Sequence, residues 1–378
     1  MKIGTAAAAA AGVVGTVVGL PALYLSKRLH KSGLDPAENR KPDPLDLEVT
    51  ALSATSVSLR RLSKKADPRP GEAGEFLLQG ARGWGFAGPL RSENGVTFVR
   101  EFRAGGGDLR IGDAVRLDSF AFPHDPLAAH GIAFDHVTFE SPLGEFPAWH
   151  VPGRADTWAI LTHGKGATRR ETLRVLPVLH GLAVPAVAIT YRNDEGCPPS
   201  PNGMYAYGHG EWEEVEGAAR WALSNGAKRL LLVGYSMGGA TTVSFMGKSE
   251  LAKHVSGLLL DAPMLDLETT VEHGARRLGL PIWFLAISNR VTARRYGFRW
   301  RDFDHRGVTK ELDVPVLLFH GDDDRTVPVS TSDDFARARP DIVEYHRPEG
   351  VDHVRAWNAD PERYEAALRS FAERMLRG

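Results

Sequence analysis

Ser236 lies in the stretch Gly234–Gly238, GYSMG. A serine hydroxyl is a weak nucleophile until a neighbouring base takes its proton. This one follows an apolar run, RLLLVG (229–234), and precedes a second run of small and apolar residues, ATTVSF (240–245). A G-x-S-x-G stretch between a strand and a helix makes a nucleophile elbow. The glycines remove side chains that would collide across the turn, while the serine takes a strained backbone conformation. In such a setting an acid and then a histidine should follow the serine along the chain.

Two later stretches supply them. In LLFHGDDDRTVP (317–328) a strand pattern ends at His320 and three aspartates follow. Of Asp322, Asp323 and Asp324, at least one reads as a turn or cap residue, and Asp324 is the candidate acid. In VEYHRPEGVDHVRAWN (343–358) a strand ends near Arg347 and a loop carries His353, the candidate base. His346 falls within the strand pattern and is the weaker choice. Asp261, at the end of the preceding strand, is a second candidate acid. An oxyanion formed at the serine needs two backbone donors, one just after the nucleophile and one from an earlier strand-to-helix loop. Those are the N–H groups of Met237 and of Lys165, in LTHGKGATRRE (161–171), where Gly164 permits close approach. His163 reads as a residue bracing that loop.

The elements that must position these groups begin near Ile132. AFDHVTFESPLGEFPAWHVPG (133–153) reads as a hairpin. Strands and helices then alternate: TWAILTHG, RRETLRVLPVLHGL as a helix, PAVAITYR, the helix GEWEEVEGAARWALSNG stopped at Gly226, RLLLVG, VSGLLLDAP, VPVLLFHG, IVEYHRP and a closing helix PERYEAALRSFAERMLR. Apolar strands alternating with helices predict an α/β fold, a mainly parallel sheet with helices on both faces. Candidate residues that end such strands share one sheet edge, where open parallel sheets bind ligands. Residues 264–312 contain the apolar LPIWFLAI and read as a small lid and acyl pocket. Before Ile132, residues 45–131 show short β-type runs broken by glycine and predict a small all-β domain.

Composition bounds the rest. The chain has 378 residues, 43% hydrophobic and 25% charged, with a formal net charge of −1. A sizeable core can form, and no global field attracts nucleic acid. A single cysteine, Cys197, excludes an intrachain disulfide and a cysteine-rich zinc site. His124, His130 and His136 fit no zinc spacing, so neither a metal nor an organic cofactor is expected. Residues Gly4–Leu25 carry no charge and are long enough to span a bilayer. With Lys27, Arg28, His30 and Lys31 after them, residues 1–31 read as an uncleaved transmembrane anchor with its basic flank. The flank would place the catalytic domain on the cytoplasmic face of a membrane. Gly15 and Gly19 form a G-x-x-x-G pair within it. Residues 32–44 read as a polar, proline-rich linker.

From about Ile132 to the C-terminus the chain resembles the α/β-hydrolase superfamily. HGKG, GYSMGG, HGDDDRTVP and GVDH carry the resemblance, with YRND (191–194) after the fourth strand. It looks closest to bacterial serine-aminopeptidase-like and prolyl-oligopeptidase-like hydrolases. The family's H-G-x-x-D-x-x-V-P pattern places the acid at Asp324, and GVDH places the base at His353. The resemblance implies an α/β-hydrolase fold and a Ser236–Asp324–His353 triad acting on small-molecule carboxylic esters or thioesters through an acyl-enzyme. The alternatives are a serine peptidase of prolyl-oligopeptidase-like type and a non-catalytic, membrane-attached binding module. No widespread hydrolase piece matches the residues before Ile132.

Overall fold

The computed structural model of the protein describes residues 21–41, 43–62 and 72–377. Six antiparallel strands form a closed barrel in the order β1-β2-β5-β4-β3-β6. They are β1 (Leu47–Leu52), β2 (Ser56–Arg61), β3 (Phe76–Gly80), β4 (Gly83–Glu93), β5 (Thr97–Gly107) and β6 (Ala114–Asp118). Alternation builds it: Leu47 and Val49 of β1, Val57 and Leu59 of β2, and Phe76 and Leu78 of β3 point into one core, as a period of two requires. The eleven-residue strands β4 and β5 change register at several points along their pairing. Such bulges bend a long ribbon so that a small barrel can close, and Pro89, which has no N–H to give a ladder, lies in one of them.

The remaining strands form one eight-stranded sheet, in the order β14-β13-β12-β11-β9-β10-β8-β7. These are β7 (Asp135–Ser141), β8 (Gly144–Val151), β9 (Thr157–Thr162), β10 (Ala186–Ile189), β11 (Arg229–Tyr235), β12 (Val255–Asp261), β13 (Val316–Phe319) and β14 (Val343–His346). Strands β9 to β14 run parallel, while β8 pairs antiparallel with both β10 and β7. Every residue of β9 is buried, because both faces are covered. Leu231, Val233 and Leu259 pack on one face against the helices Leu176–Gly181 and Pro361–Arg377. Leu230, Leu232 and Leu258 pack on the other against the helices Trp212–Ser224 and Met237–Lys248.

Several expectations change. The single helix expected over residues 169–182 is a 3₁₀ turn, Arg169–Arg174, followed by a short helix, Leu176–Gly181. Pro177 is the cause: it lacks an N–H and is accepted only in the first turn of a helix. Residues 32–44 do not behave as a linker. The chain is helical over 21–29, passes through a π turn, His30–Leu34, and enters a short helix, Pro36–Asn39. Leu34 is fully buried, Tyr205 N–H donates to its carbonyl at 2.9 Å, and the Tyr207 hydroxyl donates to Gly33 O at 2.7 Å.

The single-pass anchor and the membrane localisation built on it are also corrected. Among the described residues no helix is long and apolar enough to cross a membrane. The described end of the segment packs on the protein itself, with Ala22 and Ser26 completely buried. Residues 4–20 of the expected span, with Gly15 and Gly19, lie outside the described residues. The run is largely alanine, which is nearly indifferent to insertion, so its length alone carried the expectation.

Between β12 and β13 the chain forms the helices Leu267–Arg277 and Ile282–Tyr296, a 3₁₀ turn Trp300–Phe303 and a helix Arg306–Glu311. Leu267 and Phe303 join Leu34, Tyr207 and Met237 in one apolar cluster, so this insertion rests on both the N-terminal segment and the residue after Ser236.

Candidate active site

Strand β11 ends at Tyr235, and the helix Met237–Lys248 begins two residues later. Ser236 makes the whole reversal, with φ 49° and ψ −113°. That left-handed conformation costs a residue with a Cβ on the order of 1–3 kcal/mol and persists only where surrounding contacts impose it. Here Ser236 N–H donates to Asp261 O at 2.9 Å, and Ser236 O accepts from Met264 N–H at 3.0 Å. The flanking glycines are obligatory on steric grounds. A Cβ on Gly238 would lie 2.2 Å from Thr162 O, and one on Gly234 would lie 2.6 Å from Gly238 O.

The structure brings Ser236, His353 and Asp324 into one hydrogen-bonded line. Ser236 Oγ is 2.8 Å from His353 Nε2, and His353 Nδ1 is 2.6 Å from Asp324 Oδ2. The carboxylate fixes the proton on Nδ1 and leaves Nε2 to accept from the serine hydroxyl. Asp324 is held from three sides. Its Oδ1 accepts the N–H groups of Thr326 and Val327, both at 2.8 Å, and its Oδ2 lies 3.0 Å from His320 Nε2. Burial alone would raise the Asp324 carboxyl, but the His353 and His320 rings outweigh it and hold it well below the usual carboxylate range. Burial likewise opposes charge on His353. The Asp324 carboxylate prevails, with smaller help from Glu171 and Asp261, and the imidazole titrates above its ordinary value.

Two loops carry Asp324 and His353, and they are stitched together. Asp323 N–H donates to Val351 O at 3.1 Å, Gly350 N–H to Asp322 Oδ1 at 2.7 Å, and Arg325 N–H to Asp352 Oδ1 at 2.9 Å. Asp322 thus ties the two loops together and Asp323 pairs with Arg325. The other candidates lie elsewhere. Asp261 is buried among Tyr235, Tyr364 and Arg174, where burial, opposed by the Arg174 charge, pushes its carboxyl up to about 6. His346 stacks on Phe319 with ring centroids 4.8 Å apart and faces Glu344. His163 sits at the start of the Gly164–Lys165 loop, with Nε2 2.9 Å from Asp194 Oδ2 and Nδ1 2.9 Å from Gly164 O. Cys197 is half-buried, and burial raises its thiol. His130 Nε2 faces Leu173 O at 2.9 Å, and His136 packs on Phe134. Among the described residues no three of His, Cys, Asp or Glu are grouped as metal ligands would be.

Met237 opens its helix, so its N–H has no partner within the helix. Gly164 approaches the serine so closely that a Cβ on it would lie 3.3 Å from Ser236 Cβ. The Gly164 N–H is committed to Glu171 Oε2 at 2.6 Å. Among the described residues no oxygen takes the N–H of either Met237 or Lys165. The Lys165 ammonium donates to Ser32 O at 2.9 Å, and burial lowers its pKa to about 8. Ser236, Lys165, Glu171, Thr326, His353 and Arg355 line a cavity of about 190 Å³, with Ser119 of the barrel side as part of its wall. A larger cavity of about 550 Å³ is lined by His346, Val351, Arg355, Phe319 and Tyr364 and does not include Ser236.

Glu171, Arg355 and Ser119 were not expected at the site. The first carried a faint signal: Glu171 and Arg174, three residues apart, interrupt an otherwise core-facing stretch with opposite charges. The barrel contacts had none. Asn358 Nδ2 donates to Glu75 O at 2.6 Å and to Ser119 O at 2.9 Å, Asn358 O accepts from Glu75 N–H at 2.9 Å, and Arg355 pairs with Glu72.

Comparison with known proteins places this fold. No known family profile matches the chain. The uncharacterized protein YqkD of Bacillus subtilis (strain 168) is 23% identical over 144 residues, 38% of this chain, and the match spans about half (47%) of that relative's length. Among solved structures, the esterase Pf2001 of Pyrococcus furiosus aligns with a TM-score of 0.54 at 18% identity, covering 67% of this chain and 95% of that one. A second crystal form of the same esterase gives 0.52, at 18% identity over 65% and 93%. The chain therefore shares the α/β fold of this esterase over about two thirds of its length, and it also contains a closed β-barrel.

Proposed function

We propose that the protein is a serine hydrolase that cleaves small carboxylic esters, or thioesters, through an acyl-enzyme on Ser236. The observation that carries this reading is the unbroken line Ser236 Oγ–His353 Nε2, 2.8 Å, and His353 Nδ1–Asp324 Oδ2, 2.6 Å. His353 takes the Ser236 proton as Oγ bonds to the substrate carbonyl carbon. The carbonyl oxygen, now anionic, receives the N–H groups of Met237 and Lys165, each worth roughly 3 kcal/mol in such a site. Collapse breaks the bond to the leaving group, which departs with the proton held by His353. Water then attacks the acyl carbon as His353 takes its proton, and collapse breaks the bond to Ser236 Oγ, which takes that proton back from His353 as the acid and free Ser236 are released.

Asp324 holds the imidazole tautomer and stabilises its charged form. A cavity of about 190 Å³ with a barrel residue in its wall favours a small ester over a peptide chain. A non-catalytic binding role has no need for a base aligned on a strained serine. The test is covalent labelling with a fluorophosphonate, mapped by mass spectrometry, beside turnover of short p-nitrophenyl esters. Labelling at Ser236 with turnover is expected; a folded protein showing neither refutes the reading.

A further inference from the structure

Three observations meet at the 3₁₀ turn Arg169–Arg174. Glu171, 5% exposed, accepts the Gly164 N–H at 2.6 Å and so holds the loop that presents Lys165 N–H. Arg174, 1% exposed, donates to Val354 O at 2.8 Å, the residue directly after His353. Val354 has a φ of 53°, a left-handed conformation that a β-branched residue adopts only under constraint. The Arg174 guanidinium also lies 5.1 Å from the centroid of the Tyr235 ring, directly before Ser236. Glu171 and Arg174 face each other at 3.5 Å, and Arg174 Nε donates to Glu171 O at 3.1 Å. Two charges buried this deeply persist only when paired and hydrogen-bonded. Each completes the other, and each reaches a different loop of the site.

We infer that Glu171 and Arg174 form a positioning pair that sets the oxyanion loop and the His353 loop in register with Ser236. The inference rests on the hydrolase reading of Ser236. Neither side chain forms or breaks a bond in the reaction; both act through the groups they hold. Misplacing an oxyanion donor or a base by about 1 Å costs on the order of 100-fold in rate. Substrate binding depends less on that register, so the loss belongs in kcat. Glu171 also contributes negative charge near His353. The other charged or titratable groups around the imidazole are Asp324 and, against that carboxylate, His320 after β13, Asp261 at the end of β12, Lys165 across the cavity, and Asp352 and Arg355 of its own loop, with Arg174 held on the next residue's carbonyl. Removing the Glu171 charge leaves the imidazolium less stabilised.

The test compares the full chain with Glu171→Gln, Arg174→Lys and the double variant, on a p-nitrophenyl ester across a pH series. The glutamine keeps an acceptor for Gly164 N–H, and the lysine keeps the charge beside Glu171 but loses the fork. Circular dichroism and thermal melting establish that each is folded; if the glutamine variant fails to fold, Glu171→Asp takes its place. The expected result is a kcat loss of about 10- to 100-fold in each single variant, with KM within threefold. The double variant should fall no further than the worse single, because the two residues act as one unit. The acid limb of kcat/KM should move to lower pH in the Glu171→Gln variant. A kcat within twofold of the parent, losses that multiply, or an unmoved acid limb overturns the pair while leaving the hydrolase reading intact. No turnover and no fluorophosphonate labelling in the parent chain overturns both.

Discussion

The barrel and the eight-stranded sheet bury apolar surface in different ways. In the barrel, strands such as β2 alternate between buried and partly exposed residues, so one face makes the core and the other meets water. In the sheet, β9 is buried at every position and most of β11 likewise, because helices cover both faces. A sheet covered in this way offers a ligand little except its strand ends. There the chain leaves the sheet at Ser236 and in the loops bearing Asp324 and His353. A closed barrel has no free edge either, and its described contacts near the cavity come largely from residues at its strand ends: Ser119 in the cavity wall, Glu72 against Arg355, and Glu75 against Asn358. The sheet end carries Ser236, Asp324 and His353, and the barrel borders the cavity beside them.

Substitutions should separate these roles. Ser236→Ala and His353→Ala are expected to abolish ester turnover, by about 10⁴-fold or more in kcat, with melting temperatures near that of the parent. Asp324→Asn should cost roughly 10⁴-fold, since an amide cannot hold the tautomer or stabilise the imidazolium. No barrel substitution should approach these losses, and a folded barrel variant as inactive as Ser236→Ala would reverse the assignment of roles. Leu59→Ala in the barrel core and Leu259→Ala in the sheet core each empty a fully buried site. Each should destabilise by roughly 3–5 kcal/mol in denaturant titration, but below its transition the barrel variant should keep kcat within a few-fold.

Asn358→Ala tests the junction itself. It removes two hydrogen bonds to barrel carbonyls and should cost about 1–3 kcal/mol, with a few-fold change in KM. The smallest effect is that of pH on the parent. His353 must be neutral to act as base, and its pKa is raised by Asp324 despite burial. The kcat/KM of the parent should therefore fall as pH drops through a value above 6.5, the ordinary value for histidine; an acid limb below 6.5 would contradict the Asp324 contact.

Much of the candidate site is legible in the chain because its parts are local. The elbow is five consecutive residues whose glycines are demanded by contacts of 2.2–2.6 Å, and a strand followed by a short polar loop marks the places of Asp324 and His353. The surroundings were misread where local signals pointed the wrong way. Pro and charged residues made 32–44 resemble a linker, yet Leu34 and Gly33 pack against Tyr205 and Tyr207, about 170 residues away. An uncharged stretch resembled a membrane span, yet its described end lies against the protein. Glu171 falls within a stretch read only as a helix, yet it lies beside Ser236 in the cavity wall.

The order of serine, acid and histidine, the strand that precedes each and the glycines around the serine are properties of neighbouring residues, and the chain alone determined them. Which acid meets His353, which carboxylate holds Gly164, and that a barrel loop borders the cavity depend on contacts between residues tens to hundreds of positions apart. Such contacts form only when the two sheet faces and the barrel core are all packed at once, so the tertiary structure decided them.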